Sequence, residues 1–282
     1  MISELKEAHT ISRLCQNFGV STSGYYDWLS RPKSERQQRD DELKVQIKQS
    51  FQDSHGIYGV PRIHEDLKEQ GEKVAKKRVA RLMKEEELVA RSIKAFKKTT
   101  VSDPSRPVAD NLLQQDFQAT EANQRWVTDI TYIRTDEGWL YLAAIMDLYS
   151  RAIVGWAMEK QMTVELVCKA LMMGLSRRMA TSGLILHSDR GVQYTAGDYR
   201  QQLDDHGIVC SMSGTGNCYD NAAMESFFHS LKTEWIYHEK YKTRDQARAS
   251  VFEYIEIFYN RKRRHSAIGQ IAPMQFEQRE AA

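Results

Sequence analysis

The stretch RWVTDITYIRTDEGWLYLAAIMDLYSRAIVGWAME, residues 125–159, decides the fold of this chain. β-Branched and aromatic residues alternate with other side chains, and the turn-forming letters DEG interrupt the run. The pattern predicts three successive antiparallel strands, of which the first two are joined by a tight turn.

The residues that follow alternate between helical and strand patterns. In chain order they predict a helix at 164–178, a strand at 183–189, a helix at 197–207, a strand at 208–213, a long helix at 220–236 and a last amphipathic helix at 244–265. Three meandering strands followed by alternating helices and strands predict an α/β fold. We expect a ribonuclease-H-like mixed sheet flanked by helices.

The composition bounds the possible functions. The 282 residues carry a net charge of +2, four cysteines, and no apolar run as long as a membrane span. The N-terminus has no apolar signal region, so we expect a cytoplasmic protein with no membrane partner. Residues 73–98 carry ten Lys or Arg against three Glu, and residues 261–265 read RKRRH. Such stretches suit a polyanion, although a solvated helix face has the same composition.

Residues 1–50 are predicted to form a small all-helical unit. Gly19 separates two segments of helical periodicity, and Ser21 can cap the second. Helix, glycine turn and capped helix are the layout of a helix-turn-helix-like unit, although a plain helical hairpin has the same pattern.

Residues 51–98 are predicted to form a second helical unit that contains a basic helix. If this unit binds DNA, we expect the contact on that helix, at Lys76, Lys77, Arg78 and Arg81. Prolines and small polar residues at 99–122 indicate a linker. The main α/β domain is expected over 123–282, with a core to about residue 240 and then a C-terminal helix and a basic tail.

Three acidic residues lie at unusual places in this pattern. Asp129 lies in the middle of the first strand, Asp189 ends the fourth, and Glu225 lies in the long helix, with thirty-five residues between the last two. The predicted topology puts the first and fourth strands side by side and packs the helix across them. One acid from each element can therefore converge on a single point.

Converging carboxylates repel one another unless a cation lies among them. Oxygen-only ligands select Mg²⁺ or Mn²⁺, and two such ions about 4 Å apart can polarise both the attacking and the leaving oxygen of a phosphodiester. The alternative is that each acid is structural. Asp147, at the end of the second strand, is the main rival, and we expect it outside the site, paired with Arg151 or holding the following turn.

Four stretches of the sequence resemble one known family. WVTDITYI, HSDRGVQY, GNCYDNAAMESFF and YNRKRRHSAIGQIAPMQFE are similar to motifs of the insertion-sequence-three transposases, and more narrowly of OrfB, the product of their second reading frame. The similarity runs over about residues 11–277. It implies an integrase-type catalytic domain, with Asp129, Asp189 and Glu225 as a D, D, thirty-five, E triad.

The resemblance also implies a reaction and its partners. A transposase of this kind cuts one DNA strand at an element end, and the new 3′ hydroxyl attacks another phosphodiester. The expected partners are double-stranded DNA, at element ends and at the target, further copies of the chain in a synaptic complex, and OrfA as a separate protein or as a fusion. The expected location is the cytoplasm, at the nucleoid. Two alternatives stay open: a nuclease of the same fold that does not join DNA, and a catalytically degenerate DNA-binding regulator.

Several further residues are candidates for DNA contact. The resemblance implies Lys232, which lies seven positions after Glu225 and so on the same helix face, with a solvated surface lysine as the alternative. Arg190 follows Asp189. Asn217 and Tyr219 lie in the glycine-rich loop before the long helix.

The last helix ends in four candidates for phosphate contact, Arg261, Arg263, Arg264 and His265. Two other polar residues are predicted to be structural. Asn221 is expected to cap the Glu225 helix, and His187 to be a buried, hydrogen-bonded histidine.

Overall fold

A computed structural model describes the chain in six ranges, 2–5, 7–91, 109–114, 116–178, 183–214 and 221–280. The predicted linker at 99–122 lies partly outside these ranges, and the domain boundaries around it stay predictions. Among the described helices, none is long and apolar enough to cross a lipid bilayer.

Within the described residues, six helices precede the sheet: α1 (Ile2–Leu5), α2 (Ile11–Asn17), α3 (Thr22–Ser30), α4 (Glu35–Asp53), α5 (Val60–Glu69) and α6 (Lys76–Glu85). Ser21 caps α3 by accepting a hydrogen bond from the Gly24 N–H at 3.0 Å. Gly19, with φ of 65°, supplies the left-handed turn before it. The predicted pair of helices, with its glycine turn and serine cap, is therefore present.

The five strands are β1 (Arg125–Thr135), β2 (Gly138–Asp147), β3 (Ile153–Glu159), β4 (Ile185–Ser188) and β5 (Val209–Met212). They form one sheet in the order β3-β2-β1-β4-β5, in which β1, β2 and β3 are antiparallel neighbours and β4 and β5 run parallel to β1. The predicted mixed sheet, with the fourth strand beside the first, is confirmed. β4 pairs with β1 at Arg125, Trp126 and Val127, so Asp129 lies just beyond the paired part.

Five α-helices follow in the part of the chain that the structure describes: α7 (Val164–Arg177), α8 (Gly197–Asp205), α9 (Ala222–Glu234), α10 (Arg244–Phe252) and α11 (Pro273–Glu280). α7 packs closely on β3, because a Cβ on Gly155 would lie 2.3 Å from the Ala170 carbonyl oxygen. Alternation along β1 sends Trp126 into the core under α7 and Val127 into the core under α9 and α10.

The predicted last helix differs from the observed one. α10 ends at Phe252, and the chain continues as a π-helix, Glu253–Tyr259, before it turns. Tyr254, Phe258 and Tyr259 are all buried on this wider helix, and Tyr254 and Phe258 pack against Trp235. The same core continues into α4, α5 and α6, so the second helical unit packs directly on the α/β domain.

Candidate active site

The three predicted acids come from three elements of the α/β domain. Asp129 lies on β1, Asp189 follows the end of β4, and Glu225 lies in the first turn of α9; all three are half-buried. In each of the two aspartates, one carboxylate oxygen accepts a hydrogen bond from a backbone N–H group. Ile130 donates to Asp129 Oδ1 at 2.7 Å, and Gly191 donates to Asp189 Oδ1 at 2.9 Å.

The acids affect one another electrostatically. Burial, and after it the charges of Asp189 and Glu225, raise the pKa of Asp129 to about 8, against the opposing effects of the Ile130 hydrogen bond and the Lys232 charge. Burial also raises the pKa of Asp189, partly offset by the Gly191 hydrogen bond. The site therefore favours the protonated form of Asp129 more than water does.

The triad is not a closed ligand set in this structure. Within the described residues, no three or more His, Cys, Asp or Glu side chains are arranged closely enough to hold a metal ion. Glu225 comes shortly after residues 215–220, which lie outside the described ranges. The donor set is nevertheless all carboxylate oxygen and excess negative charge, which is the chemistry that fits a hard divalent cation.

Asn221 connects the two elements that carry Asp129 and Glu225. It stands at the N-cap position of α9, but its side chain makes no capping hydrogen bond, contrary to the prediction. The buried Asn221 Nδ2 instead donates to the Thr128 carbonyl oxygen at 3.0 Å. Tyr194, also buried, hydrogen-bonds the Thr128 hydroxyl at 3.2 Å. Two side chains from outside the sheet therefore hold β1 next to Asp129.

His187 is structural, as predicted. Its ring is fully buried on β4, and its Nδ1 and Nε2 lie 2.8 Å and 3.1 Å from the hydroxyls of Ser211 and Ser213. These contacts join β4 to β5 and to the residue that follows it.

Lys232 lies close to the acids, as expected for its position on α9. Its ammonium group is 4.7 Å from the centre of the Tyr132 ring, in a cation–π contact. Burial lowers the pKa of Lys232, and the charge of Asp129 opposes this shift. Tyr132 was not predicted as a site residue. The structure leaves it exposed, like Arg134, in a strand whose other residues are buried or half-buried, and no sequence pattern distinguishes it.

Comparison with known proteins identifies the family. Two models described as Integrase core domain match residues 119–218 and 225–280, and one described as HTH-like domain matches residues 38–96. The chain is 49% identical to the insertion element IS600 uncharacterized 31 kDa protein of Shigella sonnei, over 94% of this chain and 98% of that protein. It is 45% identical to the transposase InsF for insertion sequence IS3A of Escherichia coli (strain K12), over 97% of this chain and 96% of that protein.

This chain belongs to the insertion-sequence-three family of transposases. Among solved structures, the catalytic core domain of BIV integrase aligns with 56% of the transposase and 97% of that domain, at 18% identity and a TM-score of 0.43. The assignment of a ribonuclease-H-like fold is based on the strand order of the sheet and on the match to the Integrase core domain model.

Several basic side chains of the transposase that were predicted to bind DNA contact other residues of the same chain instead. Arg190 donates from Nε to the Ser213 carbonyl oxygen at 2.7 Å. On α6, Arg78 and Arg81 both pair with Asp40 of α4, at 2.7 Å and 2.6 Å. Lys76 and Lys77 are exposed. Asn217 and Tyr219 lie outside the described residues.

The C-terminal basic stretch, residues 261–265, is partly buried, with Arg263 and Arg264 inside the protein. Arg263 pairs with Glu234 through two hydrogen bonds of 2.7 Å and donates to His265 Nε2 at 3.0 Å. Arg264 pairs with Asp66 and Glu69 of α5, which ties the helical unit to the α/β domain. Only Arg261 of the four candidates is exposed, so phosphate contact by the other three would require these internal contacts to break.

Asp147, the rival acid, holds a turn. It is fully buried, and its two oxygens accept hydrogen bonds from the backbone N–H groups of Asn123 at 2.9 Å and Tyr149 at 3.0 Å. Both oxygens of its carboxylate therefore bind backbone N–H groups, which agrees with the predicted role of holding the turn after β2.

Proposed function

We propose that this transposase cuts and joins DNA at the ends of an insertion sequence, using Asp129, Asp189 and Glu225 as its catalytic acids. One observation supports the assignment above the others. The charges of Asp189 and Glu225 act on Asp129 and, together with its burial, raise its pKa to about 8. Carboxylates kept at this electrostatic cost are typical of a functional site.

The same three side chains are the proposed metal ligands. Two Mg²⁺ or Mn²⁺ ions, the expected cofactors, would polarise the attacking and leaving oxygens of a phosphodiester when bound. The residues of the chain supply the rest. The N–H groups of Ile130 and Gly191 fix one oxygen of each aspartate, and Lys232 would hold a DNA phosphate near Asp129.

The proposed partners are double-stranded DNA, at the element ends and the target, and further copies of the chain that bring two ends together. The HTH-like match at residues 38–96 and the exposed Lys76 and Lys77 support a DNA-binding role for α6. OrfA, as a separate protein or a fusion, is a further proposed partner. The proposed place of action is the nucleoid, where this DNA is found.

A strand-transfer assay tests the proposal. The full chain is incubated with Mg²⁺ and duplexes that carry the element's own ends, with and without OrfA. We expect joined products from the natural chain, and none from Asp189→Asn, which should still bind the duplexes. Asp198→Asn, at an exposed position of α8, is the matched control and should join normally.

The remaining outcomes separate the alternatives. Cleavage of unrelated DNA at the same rate, without joined products, would identify a nuclease. Binding without cleavage under every condition would identify a DNA-binding regulator. Joining by Asp189→Asn would remove that residue from the site.

A further inference from the structure

The hairpin of β1 and β2 carries an exposed aromatic pair beside the acids. Tyr132 and Trp139 leave 46% and 47% of their surfaces to solvent, and their rings meet edge to face at 5.1 Å and 82°. Exposed aromatic side chains that cluster next to polar residues can mark an interaction site.

Two cations flank this pair. Lys232 lies 4.7 Å from the Tyr132 ring on one side. Arg134 is exposed, lies two residues after Tyr132 on the same face of β1, and pairs directly with Trp139 across the hairpin. The surface therefore combines flat rings with positive charge, which is the pattern that binds a nucleic-acid strand by base stacking and phosphate contact.

Lys232 connects this surface to the acid site. Lys232 contacts Tyr132 and also lies close enough to Asp129 for the two charges to affect each other. A DNA strand whose phosphate contacts Lys232 thus has the Tyr132 ring, and next to it Trp139, beside its neighbouring nucleotides.

We propose that Tyr132 and Trp139, with Arg134 and Lys232, form a platform that stacks unpaired bases next to the phosphodiester being cut. The inference rests on the proposed function and adds a base-binding subsite to it. The phosphate at the acids fixes the strand, and the platform captures bases that have left the duplex, which favours an opened DNA end over a fully paired one.

The test compares two duplexes with the element's end, one fully paired and one mismatched at its terminal base pairs. Both are measured by fluorescence anisotropy on full chains that carry Asp189→Asn, so that the DNA is not cut. Stacking of one base contributes a factor of about 5 to 150 in affinity. Trp139→Ala and Tyr132→Ala should weaken binding to the opened duplex by such a factor and affect the paired duplex less.

Matched variants separate stacking from other effects. Trp139→Phe and Tyr132→Phe should keep the preference for the opened end, because they keep a ring. Arg134→Ala should weaken both duplexes alike. Phe252→Ala, at a ring that is 48% exposed and packs on Trp156 of the edge strand β3, should change neither. Thermal unfolding of each variant checks that the hairpin still folds.

A second readout reports the stacking directly. The fluorescence of 2-aminopurine placed among the terminal bases should be quenched by the chain that carries only Asp189→Asn and by the Phe variants. It should be recovered with Trp139→Ala. Equal quenching and equal preference in the Ala variants would overturn the platform. So would a changed oligomeric state with unchanged DNA binding, since the rings would then be a protein interface.

The two proposals fail in different ways. If the natural chain joined no ends but the Ala variants altered 2-aminopurine fluorescence, the proposed function would be wrong and the platform would stand. If joining required Asp189 while the Ala variants stacked bases normally, only the platform would be wrong.

Discussion

Asn221 donates a hydrogen bond of 3.0 Å to the Thr128 carbonyl oxygen, and this bond links the helix that carries Glu225 to the strand that carries Asp129. Thr128 precedes Asp129 on β1, and Asn221 lies one helical turn before Glu225 on α9. The bond therefore sets the position of the glutamate's helix relative to the aspartate's strand, and it does so from a buried position where water does not compete.

Asn221→Ala should reduce strand transfer by on the order of 100-fold, because small displacements of catalytic groups have effects of that size. It leaves the Thr128 carbonyl without its donor, at a cost of about 1–3 kcal/mol in the free energy of unfolding. Joining rates and urea unfolding measure the two effects, and anisotropy should report unchanged DNA affinity. A variant that joins DNA at the natural rate would show that the bond does not position the acids.

Gly191→Ala should impair catalysis with little effect on stability. A Cβ at this position would lie 2.9 Å from Asp189 Oδ1, so the carboxylate must leave the Gly191 N–H that orients it. We expect joining to fall by about 10- to 100-fold, and the free energy of unfolding to change by less than about 1 kcal/mol.

Gly197→Ala is the control for that substitution. Gly197 starts α8, and a Cβ there would meet nothing within 4 Å. Similar joining rates in the two variants would mean that the orientation of Asp189 by Gly191 does not matter for the reaction.

The pair formed by Arg263 and Glu234 should matter for stability. Both side chains are nearly inaccessible, at 5% and 13% exposure, and two hydrogen bonds of 2.7 Å join them. Glu234→Ala leaves a buried guanidinium without its partner, so we expect a loss of about 3–5 kcal/mol in the free energy of unfolding. Urea unfolding measures it.

A second substitution distinguishes loss of the pair from loss of packing. Glu234→Ala combined with Arg263→Met should be more stable than Glu234→Ala alone, since the buried guanidinium of Arg263 is then gone and only Arg62, 25% exposed, still lacks the Glu234 carboxylate. Glu159→Ala removes the exposed pair with Lys169 and should cost no more than about 1 kcal/mol. If Glu234→Ala were as mild as Glu159→Ala, the buried pair would carry little of the stability.

The sheet was predictable because each strand has a recognisable local pattern of side chains. Alternation of side chains along 125–159 defines the meander, and the short apolar strand ending at Asp189 falls beside β1, as the mixed topology requires. The predicted order of strands and helix brought the three acids together, and the family motifs then implied that they form a triad. Their role as a triad stays a prediction.

The contacts that hold the site in place could not be predicted from local sequence patterns. The sequence RKRRH indicates positive charge, but whether it meets phosphate or protein depends on acids such as Glu234 and Asp66, which are remote in sequence. Asn221 follows the general preference for caps, yet the Thr128 carbonyl competes successfully for its amide. Tertiary neighbours decide such contacts, and periodicity carries no information about them.

His265 should make stability depend on pH between about 5 and 7. Burial and the charges of Arg263, Arg62 and Arg151 lower its pKa to about 2, and Arg263 donates to Nε2, which requires a neutral acceptor nitrogen. The unfolded chain binds the proton near pH 6.5 and the folded chain does not. The stabilisation is therefore complete above that pH and is lost as the pH falls.

The expected loss approaches about 1.4 kcal/mol per pH unit below the unfolded pKa, or about 2 kcal/mol between pH 6.5 and pH 5. His265→Gln keeps an acceptor for Arg263 but does not titrate, so its unfolding free energy should fall less over the same interval. Urea unfolding at pH 7, 6 and 5 measures both proteins. Parallel pH profiles would contradict the prediction, because they would mean that His265 takes up its proton equally in the folded and unfolded chain.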